Sequence, residues 1–549
     1  MVPFTVPSGD YRALQAARDG VIWIHESADQ GALGTGRTSA TDKPADAVER
    51  FSFDKRSVEV LVDKVDDVRV SGDGERLVVR SEATVTVVPA DKRVKADEPD
   101  HVEVDLARLR FELEPVAEWQ QMFDENARIM ANQFWREDMG GVDWDGVVRR
   151  YRPLVHRLGC HDDLVDLIWE TGAELNTSHA YVNPAQPPGD AQRRLGLLGA
   201  NLSPADGGWR IDRILPGESS DPAARSPLRA AGVGAAEGDL IVAVGGAPVD
   251  PQFGPLAALQ GAADQPVELT LSSANPADPT TRRVVVVPIE DESGLRYQDW
   301  VRGRTRYVAE HSQGRLGYLH IPDMMGLGWA QLHRDLRRAT EAEGLVVDVR
   351  YNGGGHTSQL VIERLSRRVV GWDLARHHTE GTTYPSNAPR GPVMFVTNEF
   401  AGSDGDIVNA AAQAMGVGPV IGMRTWGGVI GIDGMYDLVD GTRITQPRYS
   451  FWFRHLGWSV ENHGVDPDIV VEHTPADFFA EADPQLDRAI AEAVASLAQT
   501  RPRCSRICRP SRPARAEVRD SGQPHQTATG APAVRTPLPR PTGVSAGPW

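Results

Sequence analysis

The fold is decided by residues 344–355, which read Gly-Leu-Val-Val-Asp-Val-Arg-Tyr-Asn-Gly-Gly-Gly. The first six residues form a short, valine-rich run, which is typical of a strand buried on both faces of a parallel sheet. The three glycines let successive backbone amides turn the same way, and such a turn forms a concave site for an anion. The stretch therefore predicts an α/β domain with an anion-binding loop at the end of one strand.

A plain glycine-rich turn is the alternative interpretation of residues 353–355. The spacing does not match G-x-G-x-x-G, and no lysine follows where a P-loop requires one. Nucleotide binding is therefore not favoured.

A second strand-to-turn segment lies further along the chain. Val393–Thr397 predicts another buried strand, residues 402–415 have helical character, and Ser403 stands between them. A serine on such a turn exposes its hydroxyl beside free backbone amides, which suits a nucleophile. A simple helix N-cap is the alternative, and the local sequence alone favours it. The segment lacks the G-x-S-x-G motif, so an α/β-hydrolase is not supported.

A third polar segment, residues 461–468, reads Glu-Asn-His-Gly-Val-Asp-Pro-Asp and follows an aromatic segment, residues 449–458, that we predict to be β-like. Glu461 could orient an imidazole, and a polar surface turn is the alternative. A serine nucleophile needs a base, but the chain has fifteen histidines, so composition cannot select one. His179 is one of them, and a lone histidine in its position is usually structural.

The N-terminal region, residues 1–105, is predicted to form short strands, among them 58–62, 68–70, 76–80 and 84–88. Four short strands in ~40–45 residues is the spacing of a propeller blade, and the region has room for roughly two blades. A small piece of a β-sandwich is the alternative, because two isolated blades leave exposed edges. Residues 114–175 change to helical periodicity and predict a small bundle of three helices, near 114–134, 144–158 and 161–175.

Residues 190–293 return to β-periodicity with two short helical stretches, in an order that resembles a PDZ domain. The loop 196–199, Gly-Leu-Leu-Gly, would expose amides able to hold the carboxylate of a peptide. A different small β-barrel remains the alternative.

Composition narrows the function classes. The 549 residues suggest three to four domains, and a net charge of -18 argues against nucleic acid as a partner. Three cysteines cannot build a disulfide framework, and no apolar run reaches the length of a membrane helix, so we expect a cytoplasmic protein without a membrane partner. The N-terminal residues have no signal-peptide pattern. Residues 499–549 are rich in arginine and proline and are expected to be a disordered tail.

Taken together, these segments resemble the tricorn protease family. The resemblance implies a multidomain α+β chain with a partial β-propeller at 1–108, a helical C1 domain at 109–189, a PDZ-like domain at 190–293 and an α/β C2 catalytic domain at 294–498. Members of this family carry two complete propellers. We therefore expect this chain to correspond to the C-terminal portion of the family's architecture or to be a truncated homologue.

The resemblance also assigns roles to residues. Ser403 would be the nucleophile, His179 its base, and Glu461 and Ser178 the groups that orient His179. The amide of Asp404 and one amide among Gly353, Gly354 and Gly355 would hold the oxyanion or the substrate backbone, and Asp373 would select basic side chains. No metal and no cofactor are implied.

The implied activity is the cleavage of short peptides, such as proteasome products, into small peptides. Homo-oligomers are expected because the family forms hexamers, and aminopeptidases or the proteasome would be partners in the same route. A catalytically silent PDZ-type scaffold is one alternative. A Ser–Lys C-terminal processing protease is another, although residues 422–428, Gly-Met-Arg-Thr-Trp-Gly-Gly, contain no lysine.

Overall fold

A computed structural model describes residues 6, 9–26, 46–185, 194–217, 224–274, 280–373, 375–377, 381–434 and 436–499. The structural statements below concern these residues. The tail predicted at 499–549 lies outside them, apart from its first residue.

The N-terminal region forms two antiparallel four-stranded sheets, each in chain order. The strands are β1 Asp10–Ala17, β2 Gly20–Glu26, β3 Ala47–Ser52, β4 Ser57–Asp63, β5 Asp67–Val70, β6 Arg76–Ser81, β7 Thr84–Pro89 and β8 Val102–Glu103. Apolar side chains of both sheets, among them Ile22, Val48, Val68 and Leu77, form one buried cluster. Each sheet therefore has the up-and-down arrangement of a propeller blade.

Three helices follow, with the short strand β9 after them: α1 Pro115–Gln133, α2 Trp144–Tyr151, α3 His161–Ala173 and β9 Val182–Asn183. Met122 and Phe123 of α1 pack against Leu164 and Ile168 of α3. The same cluster includes Ile444, which lies more than two hundred positions away in the chain. The helical bundle therefore shares its core with a segment of the last domain.

The next region is a β-structure built from β10 Ala200–Ala205, β11 Gly208–Ile214, β12 Leu240–Val244, β13 Ala247–Pro248, β14 Val267–Ser272 and β15 Thr281–Val286. The sheet order is β10-β11-β12-β14-β15, so β10 is an edge strand. The two short helical stretches are single 3₁₀ segments, Pro227–Arg229 and Pro255–Leu259.

The last domain contains the helices α4 Ser293–His311, α5 Gly326–Ala339, α6 Ser358–Leu365, α7 Asp404–Ala414, α8 Pro475–Phe479 and α9 Pro484–Gln499. Its strands are β16 Leu316–His320, β17 Gly344–Asp348, β18 Gly371–Asp373, β19 Thr382–Tyr384, β20 Val393–Thr397, β21 Val420–Gly422, β22 Gly431–Asp433, β23 Arg443–Ile444, β24 Gln446–Tyr449 and β25 Ile469–Val470.

A parallel five-stranded sheet, in the order β16-β17-β20-β21-β25, forms the centre of this domain. Helices α5, α6 and α7 cover one face and helices α4 and α9 cover the other. Every residue of β17 and of β20 is buried, as the valine-rich runs predict. Because β17 and β20 are parallel neighbours, the loops after them emerge at the same edge of the sheet.

The predicted multidomain α+β fold class is confirmed, and two details differ. The aromatic segment is a strand only up to Tyr449, and beyond it the chain makes turns with a single bridge between Phe453 and Gly457. Its aromatic side chains cluster instead, with Phe451 and Phe453 stacked 6.3 Å apart. The long helices α4 and α9 were not predicted. No helix within the described ranges is long and apolar enough to cross a membrane.

Candidate active site

Ser403 lies between β20 and α7 with backbone angles φ 58° and ψ −120°. A non-glycine residue at positive φ is uncommon and strained, and such strain concentrates at functional sites. Ser403 occupies the N-cap position of α7, yet its side chain makes no capping hydrogen bond. The hydroxyl is therefore not used to terminate the helix, which weighs against the simple N-cap interpretation.

A chain of hydrogen bonds joins His179 to a carboxylate. Ser178 Oγ lies 2.9 Å from His179 Nδ1 and 3.1 Å from Glu461 Oε2. A carboxylate only accepts, so the single hydroxyl proton of Ser178 goes to Glu461. Ser178 Oγ must then accept from His179, which assigns the proton of the neutral imidazole to Nδ1. The lone pair is left on Nε2, and that nitrogen can act as a base.

Glu461 also joins two distant parts of the chain. Its Oε1 accepts from the Ser178 amide at 2.7 Å, although the two residues are 283 positions apart. Its Oε2 accepts from the amides of Val429 and Ile430 at 2.8 and 3.1 Å. The carboxylate therefore anchors the end of the helical region to a turn of the last domain.

The indole of Trp426 lies between His179 and the serine turn. Its ring meets the His179 ring edge to face, with centroids 5.3 Å apart. A Cβ added to Gly402 would lie 2.7 Å from Trp426 Cε3, so the indole also packs on the residue before Ser403. Within the described part of the chain, no hydrogen bond connects His179 directly to Ser403. Such contacts are often long without substrate and tighten when substrate binds.

The glycine loop lies directly beside Ser403. A Cβ on Gly354 would be 3.1 Å from Ser403 Oγ, and Gly354 and Gly355 have φ values of 79° and 145°. The Gly353 amide donates to Pro322 O at 3.0 Å, and the Gly354 amide donates to Asn352 Oδ1 at 2.9 Å.

Two amides near Ser403 remain available. The amides of Gly355 and Asp404 have no hydrogen-bond acceptor among the described residues. These two are accordingly free to bind a negatively charged oxygen.

Two carboxylates in the first turn of α7 hold the loops around Ser403. Asp404 accepts from the amide of Ser358 at 2.8 Å and from its hydroxyl. Asp406 accepts from the Gly427 amide at 2.8 Å, and also from the Gly428 amide and the Thr425 hydroxyl. Burial raises the pKa of Asp404, and it raises that of Asp406 to about 6.

Sequence reasoning missed Asp406 and Trp426 as parts of the site. Both lie in segments quoted for other reasons, and neither has a spacing that would single it out. The one sequence feature that could have indicated Asp406 is the acidic pair Asp404 and Asp406 in the first turn of α7.

The environment of His179 favours its neutral form. Burial lowers the pKa of the imidazole, and the charge of Glu461 opposes that shift only in part. A neutral imidazole is the form that can accept a proton.

Asp373 lies at the exposed end of β18, in a two-stranded sheet with β19. Its carboxylate accepts from the amide of Thr382 at 3.3 Å. That contact belongs to the small sheet itself and does not link Asp373 to Ser403 or His179.

Three family models match consecutive regions of the chain. They are the tricorn protease C1 domain at residues 115–173, the tricorn protease PDZ domain at 196–291 and peptidase family S41 at 315–471. The last match covers β16 to β25, including the glycine loop and Ser403.

Two curated relatives and one solved structure extend over most of the chain. Tricorn protease homolog 1 of Streptomyces coelicolor is 56% identical over 504 residues, which is 91% of this chain and 47% of the relative. A second homologue from the same organism is 47% identical over 507 residues, covering 91% of this chain and 43% of the relative. The crystal structure of the tricorn protease matches with a TM-score of 0.80 and 30% identity, over 90% of this chain and 47% of that one. The chain spans about half the length of the curated relatives it matches.

Proposed function

The chain belongs to the tricorn protease family, and on that premise we propose that it is a serine peptidase with Ser403 as its nucleophile. One observation carries the proposal. The hydrogen-bonded series Glu461–Ser178–His179 leaves the lone pair of the His179 ring on Nε2. The same ring contacts the Trp426 indole, which also packs against the turn that carries Ser403, where two amides stand free.

In the proposed reaction Ser403 Oγ attacks the carbonyl carbon of a peptide bond. His179 Nε2 takes the hydroxyl proton and later gives it to the leaving amine. The imidazolium formed in between is stabilised by Ser178 and Glu461, since Nδ1–H already points along that hydrogen-bond series.

The tetrahedral intermediate carries its negative charge on the former carbonyl oxygen. The free amides of Gly355 and Asp404 are the proposed donors to that oxygen. Removal of one such donor typically costs about 3–4 kcal/mol of transition-state stabilisation.

The proposed substrates are short peptides, such as proteasome products, cleaved to small peptides in the cytoplasm. Homo-oligomers, and aminopeptidases acting in the same route, are the proposed partners. We also propose that Asp373 selects substrates with basic side chains. The domain boundaries near residues 108, 189, 293 and 498 are likewise proposed. The Ser–Lys alternative gains no support, because residues 422–428 contain no lysine and the proposed base is a histidine.

The test is hydrolysis of fluorogenic peptides by the wild-type chain and by Ser403→Ala and His179→Ala. Each substitution is expected to lower kcat by ~10³-fold or more. The matched control is Ser459→Ala, whose hydroxyl donates to Leu456 O on an exposed turn and which should keep wild-type activity. Equal activity in all four proteins would overturn the proposal.

A further inference from the structure

The loop 196–199 was expected to offer free amides to a peptide carboxylate, and three of its four amides are already in use. The Gly196 amide donates to Leu259 O at 2.9 Å, and the Leu197 amide donates to Ile289 O at 2.7 Å. The Gly199 amide donates to Glu292 Oε2 at 3.1 Å. A carboxylate of the chain's own therefore occupies the position at the start of β10 that a peptide terminus would take.

The first turn of α4 brings this carboxylate to the loop. Glu292 is the residue before α4, and its other oxygen accepts from Arg296 Nε at 2.7 Å. Arg296 also donates to Asn201 Oδ1 at 2.9 Å, so the helix contacts the side chain of a residue on β10 as well. Glu292 and Arg296 are one helical turn apart and therefore lie on the same side of α4.

An apolar side chain accompanies the carboxylate. Leu295 is 1% exposed and packs with Leu215 and Ala224. A Cβ on Gly199 would lie 3.0 Å from Leu295 Cδ1. The turn thus delivers a carboxylate and a buried leucine to the same loop.

A carboxylate and an apolar side chain are what a groove of this kind takes from a peptide. A peptide terminus docks its carboxylate on backbone amides, places its last side chain in an apolar pocket and adds its chain to an edge strand. β10 is such an edge strand, and the loop 196–199 precedes it.

We propose that the first turn of α4 is an internal ligand, which fills the carboxylate end of the PDZ-like groove and makes that region a brace for the catalytic sheet instead of a receptor for peptide termini.

Further contacts along α4 fit a brace. Arg213 on β11 pairs with Asp299 at 2.5 Å, and Arg302 donates to Gly217 O at 2.8 Å. On its other side α4 packs Val301 and Val308 against the sheet strand β16. One helix therefore ties β10 and β11 to the sheet that carries the catalytic loops.

The experiment measures peptide binding in the Ser403→Ala background, which prevents hydrolysis of the probe. The probe is a fluorescein-labelled hexapeptide, Ala-Ala-Ala-Ala-Ala-Leu, with a free carboxylate, and its C-terminal amide is the reference. Glu292→Ala should bind the free-carboxylate probe at least ten-fold more tightly than the parent does and leave affinity for the amide unchanged. The control Glu290→Ala removes an exposed glutamate paired with Arg194 and should behave like the parent. An unchanged affinity in Glu292→Ala would overturn the proposal.

A second measurement needs no change in the groove. In the Ser403→Ala chain, which cannot hydrolyse the peptide, hydrogen exchange of residues 199–202 should be unaffected by a millimolar concentration of the same unlabelled hexapeptide, because the groove end is filled. Slowed exchange across these residues would mean that a peptide terminus enters the groove of the resting protein, and the proposal would be wrong. Neither readout depends on catalysis, so failure of this inference and failure of the proposed peptidase activity are distinguishable.

Discussion

Ser403 and His179 both have positive φ values, 58° and 60°. Two non-glycine residues in this conformation at one site each cost free energy, and the surrounding contacts must hold them there. At His179 the hydroxyl of Thr445 donates to the backbone oxygen, and at Ser403 the Trp426 indole and the glycine loop lie against the turn. The two side chains on which the proposed reaction depends are thus positioned by their backbones.

The pH dependence of activity follows from His179. The base must be neutral, so kcat/KM should fall as pH drops through the pKa of His179. Burial lowers that pKa from its usual value, so the midpoint of the acid limb should lie below about 6.5. A pH profile of kcat/KM on a fluorogenic peptide measures it. A midpoint above 7 would contradict the assignment.

A control separates His179 from Asp406, because the pKa of Asp406 is raised to about 6 and titration of this carboxyl would also give an acid limb below about 6.5. The acid limb should persist in Asp406→Asn. Loss of the limb in that variant would assign it to the carboxylate.

The glycine loop offers a substitution that displaces one amide. Gly355→Ala puts a Cβ 2.1 Å from Met324 O at a φ of 145°, so the loop must shift. We expect kcat to fall by ~10²–10³-fold with a smaller change in KM, as for loss of one oxyanion donor. Gly303→Ala is the control, since its Cβ would meet nothing within 4 Å, and it should retain full activity. Equal kcat values in the two variants would remove Gly355 from the site.

At the scale of elements, α7 connects the loops of the site. Its first turn holds the start of α6 through Asp404 and the turn 425–428 through Asp406. The turn 425–428 carries Trp426 and leads to the amides of Val429 and Ile430, which donate to Glu461. In the proposed mechanism Asp406 is therefore a positioning residue, which would act on His179 through the turn and the indole.

Replacement of Asp406 tests this connection. In Asp406→Asn the amide nitrogen would face backbone N–H donors, and the 425–428 turn should move. We expect kcat to fall about 10–100-fold, together with a change in tryptophan fluorescence, and the exposed Asp437→Asn to change neither. Wild-type kcat in Asp406→Asn would show that the turn needs no carboxylate.

Asp406 also predicts a trend of stability with pH. Its pKa is raised to about 6 in the folded chain, against about 3.9 in an unfolded one. Between these values the folded state binds more protons, so the wild type should lose stability relative to Asp406→Asn as pH rises from about 4 to 6. Unfolding measured at several pH values checks the sign, and a rise in relative stability over this interval would contradict it.

The elements with strong local signals were predictable. The buried runs of β17 and β20 and the apolar period of α1 stand out because each is uniform over its length. α4 was missed because charged residues interrupt its apolar positions, and only three of its apolar residues, Leu295, Val301 and Val308, are buried. The segment after Tyr449 was predicted to be β-like because it is aromatic. Its aromatic side chains cluster with each other instead, and periodicity does not reveal such tertiary packing.

The site was predictable only in part, because its contacts are also tertiary and join residues that are far apart in the chain. Local sequence favoured a capping role for Ser403, and only the folded chain reveals that its hydroxyl caps nothing. The pairing of Ser178 with Glu461 spans 283 positions, and no spacing rule reaches that far.

For the whole molecule, a buried ionic cluster links the glycine loop to the C-terminal helix. Arg350, at the start of that loop, pairs with Asp348 at 2.6 Å and with Asp483 at 2.9 Å, and all three side chains are at most 3% exposed. Removal of one partner from such a cluster leaves a buried charge uncompensated.

Asp483→Ala should accordingly lower the free energy of unfolding by about 3–5 kcal/mol. The control is Glu341→Ala, which breaks an exposed pair with Arg337 and should change stability by less than about 0.5 kcal/mol. Denaturant unfolding followed by circular dichroism measures both. A loss below 1 kcal/mol for Asp483→Ala would mean that water reaches the cluster.

The hydrogen-bonded series Glu461–Ser178–His179 depends on the packing of the helical region against the last domain. β9 pairs with β23, and the Trp135 amide donates to Pro447 O at 2.8 Å, so His179 is held where Glu461 can reach its neighbour Ser178.

The most direct measurement is covalent labelling with a fluorophosphonate, followed by peptide mass spectrometry. The adduct is predicted on Ser403 and on no other serine, at a rate that falls by ~10³-fold in His179→Ala. An adduct on a different serine, or labelling of His179→Ala at the wild-type rate, would contradict the pairing of these two residues.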